Sequence, residues 1–202
     1  MMSDDIQSVP PDGPVWPTEQ RRFEVPITIG VISDTHVYAH GGRRIPPEVL
    51  ALFRRFGCGL LIHCGDANIG EVLDELAGIA PLIAVVGNND EYELQDALPE
   101  EAWFDVGRHR FVAIHGHRRK GLSARATAKT YADRVACVIY GHSHEPVIEQ
   151  EGSTILFNPG SATDRRWHPH FGVGLIHVTE EKITPELVLY LNPAHLINVQ
   201  PE

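Results

Sequence analysis

An α/β fold built around a largely parallel sheet is predicted by three features of the sequence. Short apolar, β-branched runs alternate with amphipathic stretches of helical spacing, each run stops abruptly at polar residues able to bind a metal, and glycines sit beside those stops where the chain must turn tightly. In open α/β sheets ligands collect at the carboxyl ends of the strands, so the polar strand ends are where chemistry is expected.

Residues 1–25 carry Pro10, Pro11, Pro14 and Pro17 among small polar and acidic residues, a composition that predicts a flexible tail ahead of a domain over residues 26–192, with a second tail over 193–202. The run at 27–32 reads as a strand buried on both faces, ending at Asp34-Thr35-His36. Pro46-Pro47-Glu48 suits the first turn of a helix that runs through Val49, Leu50, Leu52, Phe53 and Phe56 and stops at Gly57 or Gly59. A second strand at 60–62 ends in His63-Cys64-Gly65-Asp66. Asn68 then caps a helix carrying Ile69, Val72, Leu73 and Leu76, closed by Gly78, and a third strand at 82–86 ends in Gly87-Asn88-Asn89-Asp90. This β-α-β-α-β order predicts parallel strands with right-handed crossovers. Downstream, 102–106 and 111–114 read as a hairpin, 123–134 as a helix and 136–140 as a buried strand. Shorter strands are expected at 147–149, 155–157, 172–178 and 183–190.

Length and composition fit one well-buried domain: 202 residues, 43% of them apolar and 22% charged. The formal charge of -10 argues against a polyanion as main partner, because nucleic acid is bound by neutralising its phosphates with Lys and Arg. Cys58, Cys64 and Cys137 form neither an even set nor a C-x-x-C, so a disulfide framework and a thiolate zinc site are both unexpected, and a reducing cytoplasm is the natural setting. No apolar stretch approaches the ~20 residues of a membrane span, and the N-terminus lacks a basic start followed by an apolar stretch.

The strand ends together supply Asp34 and His36, Asp66, Asn88, His115, and His142 with His144. A histidine alone at a strand end is ordinarily a structural residue, but two carboxylates, one amide and four imidazoles on five loops exceed what one ion needs. A pair of ions ~3.5–4 Å apart, bridged by a shared carboxylate, uses a set of this size.

In these residues the chain resembles the calcineurin-like metallophosphoesterases, whose motifs read here, in order, as Asp34-x-His36, Gly65-Asp66, Gly87-Asn88-x-Asp90, His115-Gly116 and Gly141-His142-Ser143-His144. His115-Gly116-His117, His142-Ser143-His144-Glu145-Pro146 and Asn158-Pro159-Gly160-Ser161 are similar to the small bacterial and archaeal phosphodiesterase branch. The resemblance implies a four-layer α/β/β/α sandwich of two mixed sheets, with a dimetal site at the strand C-terminal edge. It assigns Asp34, His36 and His144 to one ion, Asn88, His115 and His142 to the other, Asp66 to the bridge, and a bridging water or hydroxide to the attack on phosphorus.

Charge counting agrees with those roles: about +4 from the ions against about -3 from Asp34, Asp66 and hydroxide leaves a slightly positive site inside an acidic protein, suited to a phosphate ester. Imidazole-rich coordination points to Mn²⁺, Fe²⁺, Zn²⁺ or Ni²⁺ over a pure Mg²⁺ site without choosing among them; two divalent ions are expected, Mn²⁺ first, with Fe²⁺, Zn²⁺, Ni²⁺ or Mg²⁺ open. His63 and Asp90 are expected to orient ligands. His117 and Arg118, opening the run Arg118-Arg119-Lys120, are candidates to meet an anionic substrate, although short basic runs, Arg165-Arg166 among them, are ordinarily solvated. Asn89 stands where many relatives place a proton-donating histidine, so it is read as a substrate contact, and the identity of any general acid stays open with His117 as the nearest candidate. The expected substrate is a small phosphate ester, a diester above all. Two rivals remain, a protein-binding scaffold of the same fold and a nuclease, and the sequence leaves oligomeric state open, a homodimer included.

Overall fold

In the computed structural model, residues 19 and 21–201 are described. In chain order the elements are β1 (Arg22–Phe23), β2 (Ile27–Ile32), α1 (Pro47–Arg55), β3 (Leu60–His63), α2 (Gly70–Ala77), β4 (Leu82–Ala84), α3 (Tyr92–Ala97), β5 (Glu101–Val106) and β6 (His109–Ile114). They continue with α4 (Ala124–Lys129), β7 (Cys137–Tyr140), β8 (Pro146–Glu151), β9 (Thr154–Pro159), β10 (Phe171–Val178), β11 (Ile183–Tyr190) and a 3-10 helix (Pro193–Asn198). One sheet has the order β11-β10-β2-β3-β4 and the other β1-β5-β6-β7-β9-β8. Strands β2, β3 and β4 run parallel, as do β6, β7 and β9, and antiparallel strands flank both sets.

Side-chain alternation along the strands builds the layers. Ile29 and Val31 of β2, Leu60 and Ile62 of β3, Phe111 and Ala113 of β6, and Cys137 and Ile139 of β7 all enter one apolar cluster between the sheets. Their alternates face outward: Ile32 and Leu61 pack under α1 and α2, while Val112, Ile114, Val138 and Tyr140 pack under α4. Three cores separating helix, sheet, sheet and helix are the four layers expected, and their strand ends share one edge.

Several elements differ from expectation for physical reasons. Helix α4 is shorter than 123–134: Ser123 Oγ caps it by accepting from Ala126 N, but from Thr130 onward the amides of residues 130–132 bond carbonyls three residues back, so the segment ends in tight turns. Strand β4 stops at Ala84 because Val86 N turns to the carbonyl of Pro99. Asn68 does not cap α2. Its backbone is left-handed, φ 79°, its N–H donates to Asp90, and the cap position falls on Ile69. The proposed tails are also narrower than expected. Arg22 and Phe23 pair with β5, and Phe23 is buried between the sheets. At the other end Leu196 of the 3-10 helix is buried against the α1 side, where Arg55 donates to its carbonyl. The rest of the expected N-terminal tail, apart from Glu19, Arg21, Glu24 and Val25, lies outside the described residues. Among the described residues no helix is long and apolar enough to cross a membrane.

Candidate metal centre

Five strand ends deliver polar loops to one place: residues 33–36 after β2, 64–66 after β3, 85–90 after β4, 115–117 after β6 and 141–144 after β7. Backbone hydrogen bonds clasp these loops to each other, Asp34 N to Gly65 O at 3.1 Å, His36 N to Asp66 O at 3.0 Å and Gly141 N to His115 O at 3.3 Å. Eight non-glycine residues among those described have left-handed backbone, and five of them are Asp34, His36, Asp66, His142 and His144. Each such conformation costs on the order of 1–3 kcal/mol, and concentration of that cost on five donors marks a functional centre.

The donors gather into two groups, Asp34 with His36 and His144, and Asp66 with His115 and His142; within each group the ligand atoms lie within 4.8 Å of one another. In the first, His36 Nε2 and His144 Nε2 are 3.1 Å apart and His144 Nε2 is 3.3 Å from Asp34 Oδ1. Imidazole nitrogens bound to one transition metal at ~2.0–2.1 Å stand about 3 Å apart, so this spacing suits a common ion. In the second, His115 Nε2 lies 3.3 Å from Asp66 Oδ2, and the same oxygen is 3.7 Å from His36 Nε2 of the first group. Asp66 therefore faces both groups, as a bridging carboxylate must.

The donor atoms are left with unmet demand that cations satisfy. His115 Nδ1 bonds the carbonyl of Cys64 at 2.6 Å and His144 Nδ1 bonds that of Asp164, which turns both Nε2 lone pairs inward. Asp34 Oδ2 accepts from Ser33 Oγ at 2.6 Å and from His142 N at 2.9 Å, while Asp34 Oδ1 and His115 Nε2, one in each group, are buried without a hydrogen-bond partner. Burial pushes His36, His142 and His144 down, His144 to about 4, so all three are neutral at pH 7, the form that ligates. It pushes Asp34 up to about 6, which leaves it ionised at pH 7. At Asp66 burial opposes the charge, but His115 and the Asn89 donors outweigh it and hold the carboxyl well below the usual range. The residues fit a pair of divalent ions.

The metal-free protein should show this competition as a pH effect. Burial opposes the charge on His115, but the Asp66 and Asp34 carboxylates outweigh it and raise the imidazole to about 9. A raised folded value contributes stability that is complete below the unfolded value of ~6.5 and is lost as pH rises toward 9. Only between about pH 7.5 and 8 have Asp34 and the unfolded forms of the histidines that the fold holds low largely finished titrating while unfolded thiols have barely begun, so there His115 dominates. Thermal unfolding of chelator-treated protein should therefore fall across that range, whereas protein loaded with metal should not follow; a flat profile for the metal-free form would contradict the coupling of His115 to Asp66.

The structure brings the six expected carboxylate and imidazole ligands into the two groups, and the remaining expected residues lie around them. Asn88 is exposed and has no described side-chain hydrogen bond. Its neighbour Asn89, also exposed, reaches the bridge: its N–H donates to Asp66 Oδ1 at 2.8 Å and its Nδ2 to Asp66 Oδ2 at 2.7 Å, so the side chain expected to meet substrate also holds a ligand. Among the described residues Asp90 has no hydrogen bond to an imidazole. It accepts from Gly87 N at 2.6 Å and Asn68 N at 2.7 Å, locking the turn that carries both asparagines. His63 is buried and bonds Thr35 Oγ1 at 3.1 Å rather than a ligating ring.

His117 lies tilted against His115 and His142, with ring centroids 5.2 and 6.2 Å away. Burial, then the positive influence of His115 and Arg118, pushes it down to about 4, so it is neutral at pH 7 and ill-suited to deliver a proton. Arg118 is paired to Glu100 at 3.1 Å. Sequence reasoning missed Ser33, Ser161, Thr163 and Asp164. Ser161 Oγ donates to Asp34 O at 2.7 Å, Thr163 Oγ1 donates to Thr35 O, and Asp164 supplies the carbonyl behind His144. The Asn158-Pro159-Gly160-Ser161 motif was the available signal for that loop.

Comparison with known proteins agrees with the geometry. The calcineurin-like phosphoesterase superfamily domain matches residues 27–181. The chain is 36% identical over 139 residues to a probable metallophosphoesterase of Methanocaldococcus jannaschii, spanning 67% of this chain and 68% of the relative. It is 32% identical over 145 residues to the phosphodiesterase YfcE of Escherichia coli strain K12, spanning 61% and 75%. Among solved structures a single mutant of Vps29 from Entamoeba histolytica superposes with a TM-score of 0.67 at 23% identity, covering 81% of this chain and 99% of that one, a likeness of fold.

Proposed function

This chain belongs to the calcineurin-like phosphoesterase superfamily and is a hydrolase acting on phosphate esters, and we propose that it cleaves small phosphodiesters at two divalent ions held by Asp34, His36, His144, Asp66, His115 and His142. The observation that carries this reading is Asp66 Oδ2, which faces an imidazole of each ligand group at 3.3 and 3.7 Å. Divalent ions bound there lower the pKa of water toward neutrality and stabilise charge on phosphoryl oxygens. Asn89 keeps the Asp66 oxygens fixed, and the carbonyls of Cys64 and Asp164 keep the imidazoles in the ligating tautomer. Beside the second ligand group a half-open cleft of about 220 Å³, lined by Glu100, Glu101, His115, His117, Arg118 and Tyr131, can receive one ester arm. The imidazole-rich donor set suits a first-row transition ion, Mn²⁺, Fe²⁺, Zn²⁺ or Ni²⁺, and Mn²⁺ is the ion to try first. Three buried thiols suit a reducing cytoplasm. A non-catalytic scaffold is the weaker reading, because each of the two groups offers three ligand donors.

Metal analysis of the purified protein, with turnover measured on cyclic nucleotides, aryl diesters and monoesters, tests the proposal. Metal-dependent diester hydrolysis is expected; metal-replete protein inert toward every ester would favour the scaffold. Leaving-group dependence should be steep, because His117 is neutral and Asn89 cannot give up a proton, which forgoes the ~10²-fold to 10⁴-fold that general acid catalysis supplies. Aryl diesters should turn over readily and alkyl monoesters poorly. A graded series with a shallow slope would mean that another group protonates the departing oxygen.

A further inference from the structure

The loop after β9 is tied to the first ligand group at three points: Ser161 Oγ donates to Asp34 O, Thr163 Oγ1 to Thr35 O, and Asp164 O receives His144 Nδ1. Immediately beyond these ties come Arg165, Arg166 and Trp167, and the structure gives the two arginines different work. Arg165 is turned inward, donating to His168 O at 2.6 Å with its guanidinium 5.7 Å from the Phe171 ring centroid. Arg166 is exposed on left-handed backbone, φ 48°, braced by its own N–H on Asp164 Oδ1 at 3.3 Å. Its guanidinium has no described hydrogen bond or ion pair, in a protein whose formal charge is -10. Its charge is felt at His36, His142 and His144, members of both ligand groups. Arg43 also acts on His36, but its guanidinium is held by Asp164 Oδ2 at 3.1 Å. Beside Arg166, Trp167 leaves 79% of its surface in solvent, a large apolar face next to a charged site with no described partner except the His168 ring at 6.2 Å.

We propose that Arg166 and Trp167 form a substrate subsite on the loop that braces the ligands, the guanidinium taking a phosphoryl oxygen and the indole face carrying a flat aromatic ester arm. This rests on the phosphodiesterase reading and deepens it: the substrate class becomes a phosphodiester with at least one planar aromatic arm. An unpaired guanidinium offers the forked, charge-assisted hydrogen bonds that a phosphoryl group accepts. An exposed indole gains by stacking on a flat ring and gains little from a methyl group.

The test uses full-length, metal-loaded protein, Arg166→Ala, Arg166→Lys and Trp167→Ala, each checked for metal content and thermal unfolding. Calorimetric titration with inorganic phosphate should show affinity about 10-fold to 100-fold weaker for Arg166→Ala, with part recovered by Arg166→Lys. Turnover of bis(p-nitrophenyl) phosphate and methyl p-nitrophenyl phosphate, which share a leaving group and differ in the other arm, tests the tryptophan. Trp167→Ala should raise KM about 5-fold to 50-fold for the bis-aryl diester and leave the methyl diester unchanged. Phosphate affinity within twofold of wild type for Arg166→Ala would overturn the arginine's role, and an equal KM change for the two diesters would overturn the stacking. If wild type hydrolyses neither diester, the phosphodiesterase reading fails, while the phosphate titration still decides Arg166.

Discussion

Asp66→Asn is expected to lower turnover by at least about 100-fold while the fold persists, because even residues that merely orient ligands cost 10-fold to 100-fold and Asp66 is itself shared between the two groups. The carboxylate receives two donors from Asn89 and faces His115 and His36. An amide carries no charge and has one oxygen, so it can accept only one side of the Asn89 clamp and must turn its NH₂ toward another donor or toward an ion. Both ions should loosen. The substitution leaves the three apolar cores untouched, so thermal unfolding of the loaded variant should remain cooperative. Metal content and turnover on one preparation check this; a folded variant keeping two ions and wild-type turnover would remove Asp66 from the bridge.

Gly87→Ala is expected to damage the same carboxylate from the backbone side. A Cβ built at Gly87 falls 2.1 Å from Asp66 Oδ1, 2.3 Å from Asp66 N and 2.8 Å from Asp66 Cγ. Two of these atoms belong to the bridging side chain and the third to backbone, so nothing flexible can yield. Overpacking of this kind costs about 1–3 kcal/mol of stability. A misplacement of about 1 Å at reacting groups costs on the order of 100-fold in rate. Gly42→Ala is the control, since a Cβ there meets nothing within 4 Å. Denaturant unfolding and diester turnover of both variants are the measurements. Wild-type values for Gly87→Ala would mean that the turn after β4 does not hold Asp66 in place.

The parts of the fold that were legible in the sequence are those governed by side-chain chemistry. Two-sided burial made the runs at 29–32, 60–62 and 137–140 free of polar side chains apart from the Tyr140 hydroxyl, and the abrupt polar stops exposed Asp34, His36, Asp66, His115, His142 and His144 by residue type alone. What escaped notice was carried by the backbone. The carbonyls of Cys64 and Asp164 that orient His115 and His144 have no sequence signature, and neither does the left-handed geometry that aims the donors. Adjacent identical residues were the hardest case: Asn88 and Asn89 differ only in which way the turn points them, and Asp90, by bonding Gly87 N, sets that turn. Elements of two to six residues, β1, α3 and the 3-10 helix, are too short for a period to stand out, and Phe23 and Leu196 are anchored by contacts from distant parts of the chain.

The central claim is that two ions, joined through Asp66, make the active centre. It is tested most directly by titrating chelator-treated protein with Mn²⁺ while ions bound per chain and diester turnover are recorded together. Turnover should stay low through the first ion bound, rise with the second and level off at two per chain. Full turnover with one ion bound, or with none, would contradict the account.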